Sequence, residues 1–477
     1  MKSRIAEKWS AANSGSFYTY NALKDQPNDW EIFNASIEDV NEAVERADKA
    51  WRSFRSSSIE TRAKLLKGIA SELASHAEEL KEVYCLESNL SKERAASELN
   101  RTIGQLNLLA DYIQTDLFID EQPFNVYGGK SLKRNWMAIG PVVVFGASNF
   151  PFAYSTMGGD SAAALAAGCP VIVKAHAYHA GTSYKVAEIT ANVIKEQGLD
   201  AGIFSHLFDE GFEIGAALVK HPKVKAVGFT GSVKGGEALL DISAERKQPI
   251  PVFAEMGSLN PVVVLPSALS NTDKWVEALT GSVSNDAGQF CTKPGVIIVP
   301  AGSEGENFIK LLSDSVAKQE PKVFVHPNMY TSFKKKVEEY FEWIDAPKWH
   351  AQPAIRKISV ADWVNAKGLR EEFFGPQSVV VTYEDQSELE DILRLLEGQL
   401  TFTILGKMQD ELFDTTASFA QDLAGRCVFN DVPTGVTVAR EMVHGGTYPA
   451  SSDARFTAVG PTSIYRFLRP IVLQNWH

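Results

Sequence analysis

Two residues near the middle of the chain have the types and the setting that nucleophilic catalysis requires. Cys291 follows a glycine turn in the segment Gly-Gln-Phe-Cys-Thr (288–292), which places its thiol at the head of a new element. Glu255 ends the apolar run Pro-Val-Phe-Ala-Glu (251–255), where a carboxylate can act as a general base. Each residue also has an ordinary alternative, because free cysteines are among the most buried residue types and a strand-end glutamate can simply form an ion pair.

Other kinds of catalytic centre have less support in the sequence. The chain has no Gly-x-Ser-x-Gly turn, and no histidine stands in a strand-end setting like that of Glu255, so neither a Ser-His-Asp nor a Cys-His arrangement is predicted. The four cysteines lack Cys-x-x-Cys spacing and the histidines lack His-Glu-x-x-His spacing. We therefore predict no metal site, and a structural role for the cysteines other than Cys291 and the histidines other than His176.

The elements that would position these residues are short β-branched runs separated by stretches compatible with helices. Such runs are typical of buried parallel strands in βα units, and they cover residues 141–145, 170–174, 226–230, 251–255 and 261–265. The sequence thus predicts a doubly wound α/β fold. Ligands bind such sheets beyond the carboxyl ends of the strands, where Asn149, Lys174, Gly231 and Glu255 all fall.

A mainly helical region precedes this predicted sheet, and a second α/β region follows it. Within the first hundred or so residues, Ser36 with Asp39 and Ser57 with Glu60 have the pattern of capping boxes, each followed by apolar residues at helical spacing. After residue 258 the strand candidates cover 296–299, 378–382 and 402–405. Residues 125–136 and 467–473 have the pattern of edge strands that need a partner.

Several short motifs occur along the chain in a fixed order: GASNFP (146–151), VK (173–174), FTGS (229–232), EMG (255–257), GQFC (288–291) and EEFFGP (371–376). In sequence, order and spacing they resemble the motifs of the aldehyde dehydrogenase superfamily, and the resemblance covers nearly the whole chain. Within that superfamily, the segments EMGSLNP (255–261), GQFCT (288–292) and PTGVTV (433–438) resemble the subgroup that oxidises 2,5-dioxovalerate (α-ketoglutaric semialdehyde).

The resemblance implies an enzyme that oxidises an aldehyde to a carboxylic acid with NAD(P). Cys291 would attack the aldehyde carbon as a thiolate, and loss of hydride would leave a thioester. The side-chain amide of Asn149 and the backbone N–H of Cys291 would stabilise the oxyanion, although Asn149 alone is also explained as a turn residue. Glu255 would activate the hydrolytic water, a base that a CoA-acylating relative would not need.

Cofactor binding is expected without the usual dinucleotide fingerprint, because the chain contains no Gly-x-Gly-x-x-Gly. Gly231, Ser232 and Gly236 lie in a glycine-rich turn that follows a strand and opens a predicted helix, whose N-terminal N–H groups can hold a phosphate. A simple glycine turn is the alternative. The resemblance implies that Glu372 binds the nicotinamide ribose, with Phe374 beside it.

The choice between NADP and NAD depends on a second group of residues. The resemblance implies that Lys174 binds the adenosine ribose, whereas an isolated lysine would ordinarily be a solvated charge. Ala177 stands where NAD-preferring relatives often carry a glutamate that repels a 2′-phosphate. With Lys174 and His176 nearby, this position favours NADP, with NAD as the other cofactor.

One position argues against an anionic substrate such as 2,5-dioxovalerate. Asp286 lies close to Cys291 in sequence, and its negative charge would repel such a substrate unless an arginine offsets it. Arg440 and Arg455 are candidates for that role from their charge and their place in the late loops, although pairing with surface acids is the simpler explanation for both.

The alternatives to this substrate are a long-chain or other neutral aldehyde, oxidised with NADP, and a non-catalytic protein that has kept the fold. The second alternative is disfavoured because the chain carries all of the key residues together. These residues are Asn149, Lys174, Glu255, Cys291 and Glu372.

The resemblance also implies three structural units and an oligomer. A Rossmann-like nicotinamide-binding domain would comprise residues 1–118 and 139–257, a catalytic domain 258–445, and a β oligomerisation arm 119–138 and 460–477. A homodimer or homotetramer is expected. The 47 basic and 59 acidic side chains give a net charge of −12, which disfavours nucleic acids and anionic membranes as partners. No signal-peptide or membrane-spanning run is present, so we expect a cytoplasmic enzyme with a small aldehyde substrate.

Overall fold

The computed structural model describes residues 1–12, 14–115 and 125–476, which form two large β-sheets, smaller sheets and the helices that cover them. The strands are β1 Ser3–Ile5, β2 Lys8–Ser10, β3 Ser16–Asn21, β4 Gln26–Phe33, β5 Asn125–Tyr127, β6 Lys130–Ala138, β7 Val142–Phe145, β8 Val171–Lys174, β9 Phe204–Leu207, β10 Ala226–Thr230, β11 Val252–Glu255, β12 Val262–Val264, β13 Val296–Pro300, β14 Lys322–Val323, β15 His350–Ala351, β16 Ala354–Lys357, β17 Gln377–Tyr383, β18 Gln399–Leu405, β19 Ala424–Phe429 and β20 Leu468–Gln474. The α-helices are α1 Ile37–Phe54, α2 Ile59–Ser75, α3 Ala77–Ser88, α4 Lys92–Tyr112, α5 Gly159–Ala167, α6 Ala180–Glu196, α7 Glu213–Lys220, α8 Val233–Ala244, α9 Thr272–Ser284, α10 Ser303–Ala317, α11 Pro327–Glu338, α12 Val360–Asn365, α13 Gln386–Arg394 and α14 Phe413–Leu423.

The first large sheet has the strand order β11-β10-β7-β8-β9-β1-β2 and is parallel from β11 to β9. Its strands are uninterrupted apolar runs because both faces are buried. Along β7, Val142 and Val144 pack into the cluster formed with α2, α4, α5 and α6, whereas Val143 packs with α1 and α7 on the other face. The predicted doubly wound α/β fold is confirmed.

The second large sheet has the order β16-β17-β13-β12-β18-β19, and all its strand pairs are parallel. The predicted strands at 296–299, 378–382 and 402–405 correspond to β13, β17 and β18. The strand predicted at 261–265 is β12 of this sheet rather than of the first. The first sheet presents the carboxyl end of β11, with Glu255, to the site. The second sheet presents the amino ends of its strands, because Cys291 lies in the segment that leads into β13.

The helical prediction for the N-terminal region was incomplete. The capping box of Ser36 and Asp39 is confirmed at the start of α1. The one placed at Ser57 is wrong, because Ser58 caps α2 by accepting the Thr61 N–H. Before α1 the chain forms the short strands β1 to β4, which the sequence did not predict because they pair at a sheet edge or with each other. Such strands bury few side chains and leave little alternation in the sequence.

The two predicted edge strands pair with each other. Strand β20 runs antiparallel to β6 over seven registered positions, from Leu468 opposite Ala138 to Gln474 opposite Leu132, and β5 adds a third strand. Large apolar side chains are exposed on this sheet and after it: Val126 (70%), Tyr127 (65%), Val472 (62%) and Trp476 (67%). Residues 116–124 and 477, which belong to the predicted units, lie outside the described residues. None of the helices in the described ranges is long and apolar enough to cross a membrane.

Candidate active site

The loop before Cys291 has an unusual backbone. Asp286, Ala287 and Gly288 follow one another with φ values of 45°, 56° and 63°, in the left-handed region that residues with a β-carbon rarely adopt. A β-carbon at position 288 would meet the carbonyl oxygen of Gly375 at 2.4 Å, so only glycine fits there. Strain of this kind persists where surrounding contacts fix the chain, and it often marks a functional site.

The contacts that fix this loop come from Asn260, which the sequence analysis did not single out. Its side-chain amide donates hydrogen bonds to the carbonyl oxygens of Cys291 (2.8 Å) and Lys293 (2.9 Å), and its own oxygen accepts one from Thr401 (2.9 Å). The Gln399 side-chain oxygen accepts the Asn260 N–H at 2.9 Å. Asn260 is fully buried, and it therefore sets the position of the nucleophile's backbone.

Asn149 lies beside the same loop, as predicted. Its side-chain amide donates to the carbonyl oxygen of Gln289 at 2.9 Å, which leaves its second N–H for another acceptor. The chain that follows Asn149 is held by the buried Glu98 carboxylate, which accepts the N–H groups of Phe152 (2.8 Å) and Ala153 (3.0 Å). The amide is thus fixed within reach of the segment that carries the thiol.

Three side chains meet at the centre of the site: Cys291, Glu255 and His444. The Sγ atom of Cys291 lies 3.6 Å from Nε2 of His444, and Nε2 lies 2.8 Å from Oε1 of Glu255. The ligand atoms of all three residues lie within 4.8 Å of one another. Oε1 of Glu255 is thus within hydrogen-bond distance of His444, whereas its Oε2 is buried without a hydrogen-bond partner among the described residues.

A Cys-His arrangement had less support in the sequence than the pairing of Cys291 with Glu255, but the structure places His444 beside both residues. His444 lies in an irregular segment after β19 and is held there by its backbone N–H, which donates to the Thr457 hydroxyl at 2.9 Å. The sequence analysis sought a histidine at a strand end and overlooked a histidine brought in by a late loop. The Gly-Gly pair that follows His444 was the available signal, because both glycines pack closely against other backbone.

Electrostatics at the thiol oppose its ionisation. Burial raises the pKa of Cys291 well above its ordinary value, and the negative charges of Glu255 and Glu372 raise it further. The positive charge of Arg101 acts in the opposite direction. Because only the thiolate is a strong nucleophile, a neighbouring group must accept the thiol proton.

Lys174 lies at the carboxyl end of β8, in the first sheet. Its Nζ donates to the carbonyl oxygen of Asp209 at 2.6 Å. Burial lowers its pKa. Burial also lowers the pKa of His176, whose Nδ1 accepts the Tyr178 N–H at 3.2 Å. His176 is therefore neutral at physiological pH, and Lys174 is the cationic member of the pair.

The glycine-rich turn opens α8, a twelve-residue helix. The Ser232 hydroxyl caps it by accepting the Gly235 N–H at 3.2 Å, and Gly231 and Ser232 are exposed, so the helix N-terminus is open to a ligand. Gly236 contributes to packing rather than to the open helix N-terminus. A β-carbon there would meet the sulfur of Met256 at 2.4 Å, so this glycine allows α8 to pack on the strand that carries Glu255.

Glu372 and Phe374 lie in the segment before β17, and both are half-buried. The Glu372 carboxylate approaches Gly257, where a β-carbon would stand 2.8 Å from Oε2. Burial raises the pKa of Glu372 to about 7, and the charges of Lys293 and Lys336 oppose this rise. Glu372 thus lies beside the strand end that carries Glu255, on the side of α8.

The arginine that offsets Asp286 is neither of the two predicted. Nε of Arg94 lies 3.3 Å from the Asp286 carboxylate, and the Arg94 guanidinium stacks over the rings of Phe150 (4.4 Å) and Phe290 (4.8 Å). Arg440 is exposed, and Arg455 pairs with Asp453 at 2.6 Å, as the simpler explanation anticipated. Arg94 also lies 3.6 Å from the buried Glu98 carboxylate, so it shares its charge between Glu98 and Asp286. It joins the nucleophile loop to the Asn149 loop.

With this geometry in place, comparison with known proteins decides the family. The model of the aldehyde dehydrogenase family matches residues 9–348. The chain belongs to the aldehyde dehydrogenase family. It is 37% identical to an α-ketoglutaric semialdehyde dehydrogenase of Acinetobacter baylyi, over 98% of this chain and 92% of that protein. It is 38% identical to α-ketoglutaric semialdehyde dehydrogenase 2 of Azospirillum brasilense, with the same coverage.

Solved structures of aldehyde dehydrogenases have the same fold. A 1-pyrroline-5-carboxylate dehydrogenase from Thermus with bound NAD superposes with a TM-score of 0.85 at 19% identity, covering 100% of this chain and 93% of that one. A glyceraldehyde-3-phosphate dehydrogenase from Methanocaldococcus jannaschii complexed with NADP gives 0.83 at 21% identity, covering 97% and 99%. The protein is thus an NAD(P)-dependent aldehyde dehydrogenase, which oxidises an aldehyde to an acid, as the sequence motifs predicted.

Proposed function

We propose that this aldehyde dehydrogenase oxidises 2,5-dioxovalerate to 2-oxoglutarate, with Cys291 as nucleophile and Glu255 as hydrolytic base. The observation that carries the chemistry is the meeting of Cys291, Glu255 and His444 within 4.8 Å. The substrate comes from two relatives named as α-ketoglutaric semialdehyde dehydrogenases, each matching 98% of the chain. The pairing of Asp286 with Arg94, which Arg94 shares with Glu98, weakens the objection to an anionic substrate.

The first step is activation of the thiol. The Cys291 proton passes to Nε2 of His444, 3.6 Å from the sulfur, and the nearby Glu255 carboxylate stabilises the imidazolium that results. The thiolate then adds to the aldehyde carbon. The free N–H of the Asn149 amide and the backbone N–H of Cys291 donate to the oxygen that becomes an oxyanion.

The cofactor residues fit a bound nicotinamide dinucleotide. The open N-terminus of α8 at Gly231 and Ser232 would hold the pyrophosphate. Lys174 would hold the adenosine ribose and Glu372 the nicotinamide ribose, with Phe374 beside it. The nicotinamide, when bound, supplies the acceptor for the hydride that leaves the substrate carbon. The absence of a carboxylate at position 177 and the positive charge of Lys174 favour NADP over NAD.

Glu255 acts as the general base for hydrolysis of the thioester. Its Oε2 is buried and has no hydrogen-bond partner among the described residues, so this oxygen is available to accept a proton from water. The water attacks the thioester carbon and gives its proton to the carboxylate. Cys291 leaves as the thiolate and the acid is released.

Neutral aldehydes remain the second candidate substrate class, because the wall next to Cys291 is largely apolar. Phe150, Ala153, Tyr154, Phe290 and Val459 form one cluster there. Such a wall accommodates the carbon chain of a long or neutral aldehyde.

The test compares aldehydes in a steady-state assay of reduced cofactor formation, with NADP and with NAD. The proposal expects kcat/KM to be highest for 2,5-dioxovalerate, above succinic semialdehyde and above neutral aldehydes of C6 to C14. The variant Glu255→Gln should release one equivalent of reduced cofactor in a burst and then turn over at least about 100-fold more slowly than wild type. A preference for C6 to C14 aldehydes would show that 2,5-dioxovalerate is not the substrate. Absence of the burst would show that Glu255 is not the base that activates the hydrolytic water.

We also propose three structural units, following the resemblance to aldehyde dehydrogenases. Residues 1–118 and 139–257 would bind the cofactor, 258–445 would carry the nucleophile, and 119–138 with 460–477 would form the oligomerisation arm of a homodimer or homotetramer. Exposed Val126, Tyr127 and Val472 on the arm support this assignment. Val472→Glu should lower the mass measured by light scattering to that of a smaller assembly. Cytoplasmic location stays a prediction for cell fractionation.

A further inference from the structure

Arg101 is an arginine near the reaction centre that has no acidic partner among the described residues. Arg101 lies on α4, and none of the ion pairs found among the described residues involves it. Its guanidinium donates to the hydroxyl of Tyr154 at 3.0 Å and to the carbonyl oxygen of Val436. A half-buried arginine held only by neutral acceptors keeps its positive charge available for an anion.

Arg101 borders two openings in the structure, a small cavity and an open recess. On one side it lines a small cavity with Tyr154, Ala458 and Val459, and on the other it borders an open recess with Leu108 and other residues of α4. Apart from Arg101, these walls carry no charged side chain. An anion entering from the recess therefore meets a single cation.

The charge of Arg101 also reaches the nucleophile. The positive charge of Arg101 opposes the rise in the pKa of Cys291, so the guanidinium lies close enough to the sulfur to act on it. Tyr154, to which Arg101 donates, is fully covered, and its ring centre lies 6.0 Å from that of His444. A molecule that contacts Arg101 at one end can thus reach Cys291 with the other.

The remaining arginines around the site are already engaged. Arg94 pairs with Asp286, and Arg455 pairs with Asp453. Arg426 donates from both terminal nitrogens to the carbonyl oxygens of Gly435 and Pro433, while its Nε is buried. Like Arg101, Arg426 has no carboxylate partner among the described residues, but it lines neither the cavity nor the recess that Arg101 borders. Arg101 is therefore the better placed of the two to bind a ligand that enters there.

We propose that Arg101 binds the carboxylate of an ω-oxo acid substrate while its aldehyde carbon meets Cys291, an inference that rests on the proposed function. The carboxyl and aldehyde carbons of an extended five-carbon oxo acid lie about 5 Å apart. The Tyr154 hydroxyl, already hydrogen-bonded to Arg101, is the second polar group at this end. The apolar walls contact the methylene groups between them.

The test uses a matched substrate pair, 2,5-dioxovalerate and pentanal, which have the same number of carbons but differ in charge. For Arg101→Leu, the ratio of kcat/KM for the anionic over the neutral aldehyde should fall about 30- to 100-fold, chiefly through KM. Arg101→Lys should restore part of the ratio because the charge returns without the planar fork. Arg440→Leu, which removes an exposed arginine of a late loop, is the control and should leave the ratio unchanged.

A second readout separates this proposal from the proposed function. The dissociation constant of glutarate, a non-reacting dicarboxylate, is measured by calorimetry with wild type and Arg101→Leu, and should rise by a similar factor. If wild type prefers long neutral aldehydes, the proposed function fails while weaker glutarate binding still supports the Arg101 site. An equal loss of kcat/KM for both aldehydes, or unchanged glutarate binding in a folded variant, overturns the role of Arg101.

Discussion

Replacement of His444 by asparagine tests whether the histidine accepts the thiol proton. A thiolate and an imidazolium 3.6 Å apart attract each other by about 4.6 kcal/mol at an effective dielectric constant of about 20. Cys291 is half-buried, so solvent screening reduces this to about 2 kcal/mol. Loss of the pair should therefore slow the reaction of the thiol at neutral pH by about 30-fold.

The assay is the rate of inactivation by iodoacetamide between pH 5.5 and 9.5, without aldehyde or cofactor, so that only thiolate formation is measured. Because the pKa of Cys291 is raised well above its ordinary value, the rate should rise with pH in both proteins. At pH 7 His444→Asn should react about 30-fold more slowly than wild type, and the difference should shrink towards high pH.

His221→Asn is the matched control, because His221 lies in the turn after α7, in contact with neither Cys291 nor Glu255. Cys291→Ser identifies the labelled residue. Equal rates for wild type and His444→Asn at pH 7, with both proteins folded by circular dichroism, would refute the argument. Glu255 alone would then be the proton acceptor.

Three further variants address the rest of the site. Asn149→Ala should reduce kcat by about 100-fold or more with little change in KM, because its N–H donates only once the oxyanion forms; a change confined to KM would contradict this. Ala177→Glu should lower kcat/KM for NADP at least about tenfold and leave that for NAD nearly unchanged, as measured by cofactor titration. Arg94→Leu should cost about 3 kcal/mol of stability by leaving the Asp286 carboxylate unpaired, and the double variant with Asp286→Asn should recover part of it in thermal unfolding; additive losses would mean that the two residues do not interact.

The parts of the fold that the sequence predicted are those with both faces buried. The strands that became β7, β8 and β10 are continuous apolar runs, and their βα order dictates a parallel sheet. The strands β1 to β4 escaped prediction because they lie at edges, where one strand contributes few buried side chains. The spacing of apolar residues in a sequence reflects which side chains are buried, so an element that buries few side chains is hard to recognise from its sequence.

Some residues of the active site could likewise be predicted from the sequence, and others could not. Cys291 and Glu255 were found because each follows a recognisable turn or strand. His444, Asn260 and Arg94 come from distant segments, and their contacts depend on how loops return to the strand ends. A single sequence does not encode that return in local spacing, as the pairing of Asp286 with the distant Arg94 illustrates.

The pairing of β6 with β20 has a consequence for folding. Ala138 and its partner Leu468 are 330 positions apart, so β6 leaves the ribosome on the order of half a minute before the strand that completes its ladder. During that interval one edge of β6 is open to pairing with other nascent chains. The positive charges of Lys130, Lys133 and Arg134 on this strand disfavour such pairing, in the manner of gatekeeper residues. Their replacement by threonine should reduce the yield of native protein on refolding more than it reduces the stability of the folded enzyme.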